Sequence, residues 1–162
     1  MTSGLGPQPC PRAPYGVQKA TWAVDQAPAA VARLRADVAD VLQEWGVDAD
    51  DDQLFAVVLV LTELVTNAGR YGRPCLGLID VDLWLEGRRV VIAVMDSSTD
   101  APVMREVGSD GESGRGLRLI GAYAEASGYE IHRTGKRVWA VIGPHVAPEG
   151  EAFLLDAAQI VV

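Results

Sequence analysis

Glu63 and Asn67 stand one helical turn apart in FAVVLVLTELVTNAGRYG, residues 55–72, whose opening run from Phe55 to Thr62 carries no charge. That uncharged run predicts a helix sunk in a core. On such a helix the side chains at i and i+4 lie one above the other and can aim into one pocket. An Asn carbonyl oxygen is a hard ligand suited to Mg²⁺, an ion that keeps several waters and shares its other positions with substrate phosphates. A carboxylate one turn away can orient or deprotonate an attacking hydroxyl or water. Thr62, Thr66 and Arg70 flank the pair. Alone, the spacing fits any solvated helix face equally well.

Two further stretches carry chemistry. In VVIAVMDSSTDAP an apolar strand delivers Asp96 to its end. A carboxylate there can accept a hydrogen bond from an exocyclic amine, which would tell adenine from guanine; it can equally begin a turn. In ESGRGLRLI, Gly114 and Gly116 bracket Arg115 at the start of a predicted helix. Glycines let the backbone approach a ligand, and the free amides and dipole of a helix N-terminus favour phosphate. A tight loop-to-helix turn needs the same glycines.

The elements that must position these residues follow from periodicity. QKATWAVD alternates as a strand, and Pro28 opens a helix whose apolar Val31, Leu34, Val38, Val41, Leu42 and Trp45 recur at spacings of three and four, with Gly46 as its stop. DADDDQ places acidic residues at the positive end of the next helix, with Leu54, Val58, Leu61, Val65 and Ala68 as its core stripe and Gly72 and Pro74 at its end. LGLIDVDLWLEGRRVVIAVMD predicts a hairpin turning at Glu86 to Arg88. A long polar loop from Ser97 to Ser113 precedes a helix in GRGLRLIGAYAEASG, and YEIHRTGKRVWAVI predicts a second hairpin turning at Gly135-Lys136. Hairpins separated by helices predict an α+β sandwich, a mixed sheet covered by helices on one face.

With 162 residues, 49% of them hydrophobic, the chain has the size and apolar content of one domain. Its formal charge of -8 disfavours direct nucleic-acid binding and anionic membranes, both of which select for Lys and Arg. A phosphate-bearing ligand must therefore be held by local geometry. The 2 cysteines, Cys10 and Cys75, have neither metal-ligand spacing nor disulfide density, which suits a reducing cytosol. No signal peptide and no run of about 18 apolar residues is apparent. Residues 1–17, rich in Pro and Gly, read as a flexible tail; 18–143 read as the folded domain; 144–162 are apolar without a period.

The joint order of these features resembles the GHKL ATPase superfamily, whose members share the Bergerat ATP-binding fold. LTELVTNAGRYG looks like its N box, VMDSSTDAP its first glycine box and GRGLRLI its second, over roughly residues 19–143. Within that superfamily the short domain looks most like the bacterial anti-sigma-factor serine/threonine kinases. By this resemblance the cofactors are ATP and Mg²⁺, Asn67 ligands the metal, Glu63 is the catalytic base and Asp96 binds the adenine amine. Ser98, Gly114, Arg115, Gly116 and Leu117 belong to the glycine boxes, residues 101–113 form a lid, and Arg70, Arg105 and Arg115 are candidate phosphate contacts. The resemblance implies a cytoplasmic regulator that phosphorylates a serine on an anti-anti-sigma protein, sequesters a sigma factor, and can form a homodimer.

The pattern departs from the superfamily at Ser98 and Asp100, which stand where D-x-G-x-G has glycines. Asp100 adds negative charge beside a polyanion unless the turn ending in Pro102 points it to solvent. This departure keeps open a non-catalytic regulator, nucleotide-sensing or nucleotide-free. A histidine kinase is disfavoured, because His132 and His145 both follow the catalytic elements.

Overall fold

In the computed structural model, which describes residues 5–48, 52–72, 77–102 and 115–144, a six-stranded sheet organises the chain. The elements run β1 Gly6–Pro7, β2 Lys19–Asp25, α1 Pro28–Glu44, α2 Asp52–Tyr71, β3 Leu78–Glu86, β4 Arg89–Asp96, α3 Arg115–Tyr123, β5 Ala126–His132 and β6 Gly135–Ile142. Across the sheet the order is β1-β5-β6-β4-β3-β2. β1 pairs with β5 in parallel and the other pairings are antiparallel, so the sheet is mixed as the sequence predicts.

Local chemistry explains the element ends. Asp25 accepts a hydrogen bond from the Ala27 amide at 2.8 Å, and Pro28 then starts α1 where a missing N–H costs nothing. The helix stops at Gly46, whose φ of 89° suits glycine: its amide donates to the Gln43 carbonyl at 3.0 Å and the Val47 amide to Leu42 at 2.9 Å. Those two bonds make a Schellman cap, sealed by the buried Leu42 and Val47.

α2 is the centre of the core. Ala56, Val57, Leu59, Val60, Leu61, Leu64, Val65 and Ala68 are all buried, a wider arc than the predicted stripe, in which Leu54 and Val58 prove only half-buried. The reason is that α2 touches α1 on one flank, α3 on the other and β3, β4 and β6 beneath. One face of an ordinary surface helix would need only a stripe. Contrary to the sequence reading, α2 is by length and composition apolar enough to cross a membrane; here its apolar arc is spent on these neighbours.

Strict alternation along the strands sorts the sheet's two faces. Ile79, Val81 and Leu83 of β3, Val90, Ile92 and Val94 of β4, and Ala140 and Ile142 of β6 join the helices in the main core. The opposite face holds a second cluster of Trp84, Val91, Ala93, Trp139 and Val141, with Cys10, Ala13 and Val17 packed on it.

That second cluster corrects the expected flexible tail. Gly6 and Pro7 pair with Gly128 and Tyr129, the Gln8 amide donates to the Tyr129 carbonyl at 3.0 Å, and the Trp139 indole donates to the Gln8 carbonyl at 3.1 Å. Gly128 makes room for this strap: a Cβ there would lie 2.8 Å from the Trp139 ring and 3.1 Å from Gln8. The Pro- and Gly-rich composition of residues 5–17 hid the apolar Cys10, Ala13 and Val17 that repay its ordering.

Two further boundaries shift. α3 ends at Tyr123 and β5 already begins at Ala126, so ASG belongs to the strand. The last hairpin turns at residues 133–134, and Gly135 is a strand residue paired with His132. Residues 144–162 and the Ser97 to Ser113 loop lie largely outside the described residues.

Burial lifts the Cys10 thiol to about 11, with the neighbouring Arg137 pulling weakly the other way. In a Cys75→Ser background, Cys10 should react with a disulfide reagent at pH 8 about a hundredfold more slowly than in the urea-unfolded chain. Equal rates would mean that the strap does not cover the sheet in solution.

Candidate functional site

The buried arc of α2 leaves one strip uncovered. Thr62, Glu63, Thr66 and Asn67 are half-buried and Arg70 is exposed, and together they occupy the remaining face over two turns. The sequence reading of one polar stripe is therefore correct in position. Thr62 is satisfied locally, its hydroxyl donating to the Val58 carbonyl at 2.7 Å. Burial raises the Glu63 carboxyl above its ordinary 4.5, and Arg70 nearby opposes that shift. A carboxylate held in this way is a stronger proton acceptor than a free one.

Asp96 closes the inward alternation of β4 after Val90, Ile92 and Val94. Its side chain is only 2% exposed. The end of α2 comes down directly on it: a Cβ on Gly72 would lie 2.5 Å from the Asp96 carboxyl carbon and would also strike the Ala68 carbonyl. Gly135 performs the same service from β6, because a Cβ there would overlap the Asp96 carbonyl. Both glycines are required by close approach, which is why Gly135 misled the turn assignment.

The carboxylate is fully engaged with protein on one side. Oδ1 accepts the Ser98 amide at 2.8 Å and Lys136 Nζ at 3.2 Å, and Lys136 also lies 3.1 Å from Oδ2. Lys136 stands opposite Asp96 in the β4–β6 register, and its side chain is 7% exposed. The sequence reading missed this residue. The signal was the inward alternation Lys136, Val138, Ala140, Ile142, in which a charge stands at a core-facing position; placing the turn on Gly135-Lys136 removed it from the strand.

Ser98 is buried, and its side chain accepts the Asp100 amide at 3.2 Å, so residues 96–100 form two consecutive side-chain-capped turns. Asp100 is exposed, the outcome expected if the turn points it to solvent. At the other glycine box, Arg115, Gly116 and Leu117 open α3, which Leu119, Ile120 and Tyr123 anchor in the core. Gly114 and Arg105 lie outside the described residues, as do residues 103–113 of the expected lid.

The donor set fits a metal carried in by its ligand. Among the described residues no group of three or more His, Cys, Asp and Glu side chains could hold an ion unaided. A single Asn carbonyl is the sparse protein contribution that Mg²⁺ accepts where phosphates supply further ligands.

A family model described as the histidine kinase-like ATPase domain matches residues 24–142. The chain belongs to this family. The match runs from the end of β2 to the end of β6 and so contains α2, Asp96 and Lys136 together. No curated protein sequence matches the chain. Among solved structures, the chain is similar to the RsbU and RsbW domains of Rv1364c from Mycobacterium tuberculosis, with a TM-score of 0.55 and 19% identity. That likeness covers 78% of this chain and 32% of the other, so this chain spans about a third of the solved protein. At that identity it speaks for the fold: this histidine kinase-like ATPase domain has the GHKL architecture that its motifs predict.

Two outcomes follow from the packing of the site. The raised Glu63 carboxyl means that the folded state binds the proton more tightly than the unfolded one, so its contribution to stability falls as pH rises through the region above 4.5. Glu63→Gln should therefore raise the melting temperature at pH 7 by ~2–4 °C, with the gain vanishing by about pH 4; calorimetric scans at both pH values decide it, and an unchanged or lower value at pH 7 removes the desolvation. Gly135→Ala, which places a methyl on the Asp96 carbonyl, should cost roughly 2 kcal/mol or more by urea unfolding. A neutral substitution would refute the close approach.

Proposed function

We propose that the protein is an ATP-binding regulator of the anti-sigma-factor serine/threonine kinase type, acting on an anti-anti-sigma protein in the cytoplasm. The observation that carries this reading is the convergence of the Glu63, Asn67 strip on α2 with the buried Asp96 at the end of β4, joined by the Gly72 contact. The family match and the fold likeness to a structure containing an RsbW domain support it.

In this reading Asp96 accepts the exocyclic amine of adenine and fixes the base. The backbone of the Ser98 turn and the start of α3 approach the sugar and phosphates, where Arg115, Gly116 and Leu117 and the adjoining Gly114 contribute amides. Asn67 would hold Mg²⁺, which when bound neutralises charge on the phosphate oxygens. Glu63 accepts the proton of an incoming serine hydroxyl, a task suited to a carboxyl whose proton affinity burial has raised. Arg70, exposed at the end of the strip, would meet phosphate or the partner protein.

Ser98 and Asp100, at positions where the family pattern has glycines, favour a second reading. In it the chain grips a sigma factor or its antagonist without chemistry.

Calorimetric titration with ATP, with and without Mg²⁺, separates the two. The kinase reading expects magnesium-dependent binding that Asn67→Ala weakens by about tenfold or more. It also expects Glu63→Ala to keep nucleotide while losing at least ~100-fold in phosphate transfer to an anti-anti-sigma protein of the same cell. Transfer that survives Glu63→Ala would remove that carboxylate from the chemistry. No binding at millimolar ATP would leave the binding regulator as the function.

A further inference from the structure

We propose that residues 153–162 fold back over Phe55 and clasp the start of α2 to the end of α3. The proposal is independent of the ATP-binding reading.

The place where the chain leaves the sheet carries the inference. At the end of β6 the Ile142 carbonyl accepts a hydrogen bond from Gln53 Nε2, in the first turn of α2, at 3.1 Å. The neighbouring Val141 carbonyl accepts the Glu125 amide, just beyond α3, at 2.8 Å, and a Cβ on Gly143 would overlap the Glu125 carboxylate. The chain therefore departs from a corner bounded by the beginning of one helix and the end of another.

That corner is incompletely covered. Phe55, two residues along α2 from Gln53, is 38% exposed even though its ring meets the Tyr123 ring edge-on at a centroid distance of 6.3 Å. Leu54 and Val58 on α2, and Ala122 and Ala124 on either side of Tyr123, are only partly buried. The Tyr123 hydroxyl is buried with no hydrogen-bond partner among the described residues, whereas a buried phenol ordinarily has one. An exposed aromatic ring bordered by apolar side chains gains from a cover.

The segment that follows has the composition and the reach to supply it. Residues 153–162, FLLDAAQIVV, are apolar except for Asp156 and Gln159. Residues 145–152, HVAPEGEA, have the Pro, Gly and charged residues of a tether, which extends to at most about 26–29 Å. Phe55 stands within about one helix diameter, ~10–12 Å, of the bond between Gln53 and Ile142. The exposed Tyr71, Leu78 and Ile131 lie at the other end of the sheet, a whole length of β6 away, or about 26 Å, where only a taut tether would arrive. Tyr15 belongs to the strap on the opposite face. A short tether also holds its segment at an effective concentration of about millimolar, which a second copy of the chain matches only in concentrated solution.

Two measurements on the full chain test the clasp. In the first, the photoreactive p-benzoylphenylalanine replaces Phe55, isotope-labelled and unlabelled chains are mixed and irradiated, and the crosslinks are mapped by mass spectrometry. They should fall within residues 153–162 of the same chain, at a yield unchanged by about tenfold dilution. Crosslinks between labelled and unlabelled chains would make a second copy the cover and overturn the proposal, as would crosslinks confined to other segments or none at all. In the second, hydrogen exchange on the wild type needs no variant: the amides of 153–162 should exchange about tenfold or more slowly than in a free peptide of that sequence. Phe55→Asp should abolish the protection while leaving that of β4 and β6 unchanged. Free-peptide rates in the wild type, or protection that survives Phe55→Asp, overturn the clasp whatever the crosslinks show.

Discussion

Burial of α2 on three sides is the constraint from which the site follows. With α1, α3 and the sheet each claiming part of its circumference, the helix has a single narrow strip left for polar groups. The polar Glu63, Asn67 and Arg70 share that strip. The same packing drives the last turn of the helix onto the end of β4. There a side chain on Gly72 would collide with Asp96, so the helix meets the carboxylate only because that position is bare. Hydrophobic packing thus sets the distance between groups that never touch in sequence.

The two ends of the sheet handle buried polar groups differently. At one end Gln53, at the start of α2, donates to the Arg88 carbonyl at 2.7 Å and the Ile142 carbonyl at 3.1 Å, tying helix, hairpin turn and last strand together. Nearby, Arg89 and Glu125 pair at 2.6 Å on the surface. The Gln53 bonds join a neutral amide to backbone carbonyls and the Arg89–Glu125 bond joins two exposed charges; all are spent on holding the fold. At the opposite end the buried groups are charged, and Asp96 and Lys136 pair with each other at 3.1 Å. Burying such a pair costs desolvation that only close pairing and further hydrogen bonds, here the Ser98 amide on Asp96, offset.

Much of this was legible in the sequence, and the exceptions share a cause. Long periodic segments such as α2 and the β3–β4 hairpin declare themselves because burial is written into their spacing, and Asp96 is visible as the charge that ends an apolar strand. The polar residues of α2 are visible because they interrupt an otherwise apolar run. Lys136, the strap and the wide arc of α2 were not readable in the same way. Each depends on a neighbour distant in the chain: Gly135 is small because of Asp96, Gly128 because of Trp139, and residues 5–17 are ordered by a sheet face completed only at β6. Glycine in a sequence speaks first for a turn, and only the fold reveals that it stands for proximity.

The strap also bears on how the molecule assembles. Gln8 and Trp139 are joined across 131 residues, and Gly6 and Pro7 add to a strand that itself pairs only once β6 is in place. Contacts of such sequence separation form late, because loop closure must precede any return from them. A two-residue strand with a few bonds is also the weakest cooperative unit of the sheet. It therefore joins last and leaves first. Its departure would bare the face of Trp84 and Trp139, the side of the sheet away from the helices.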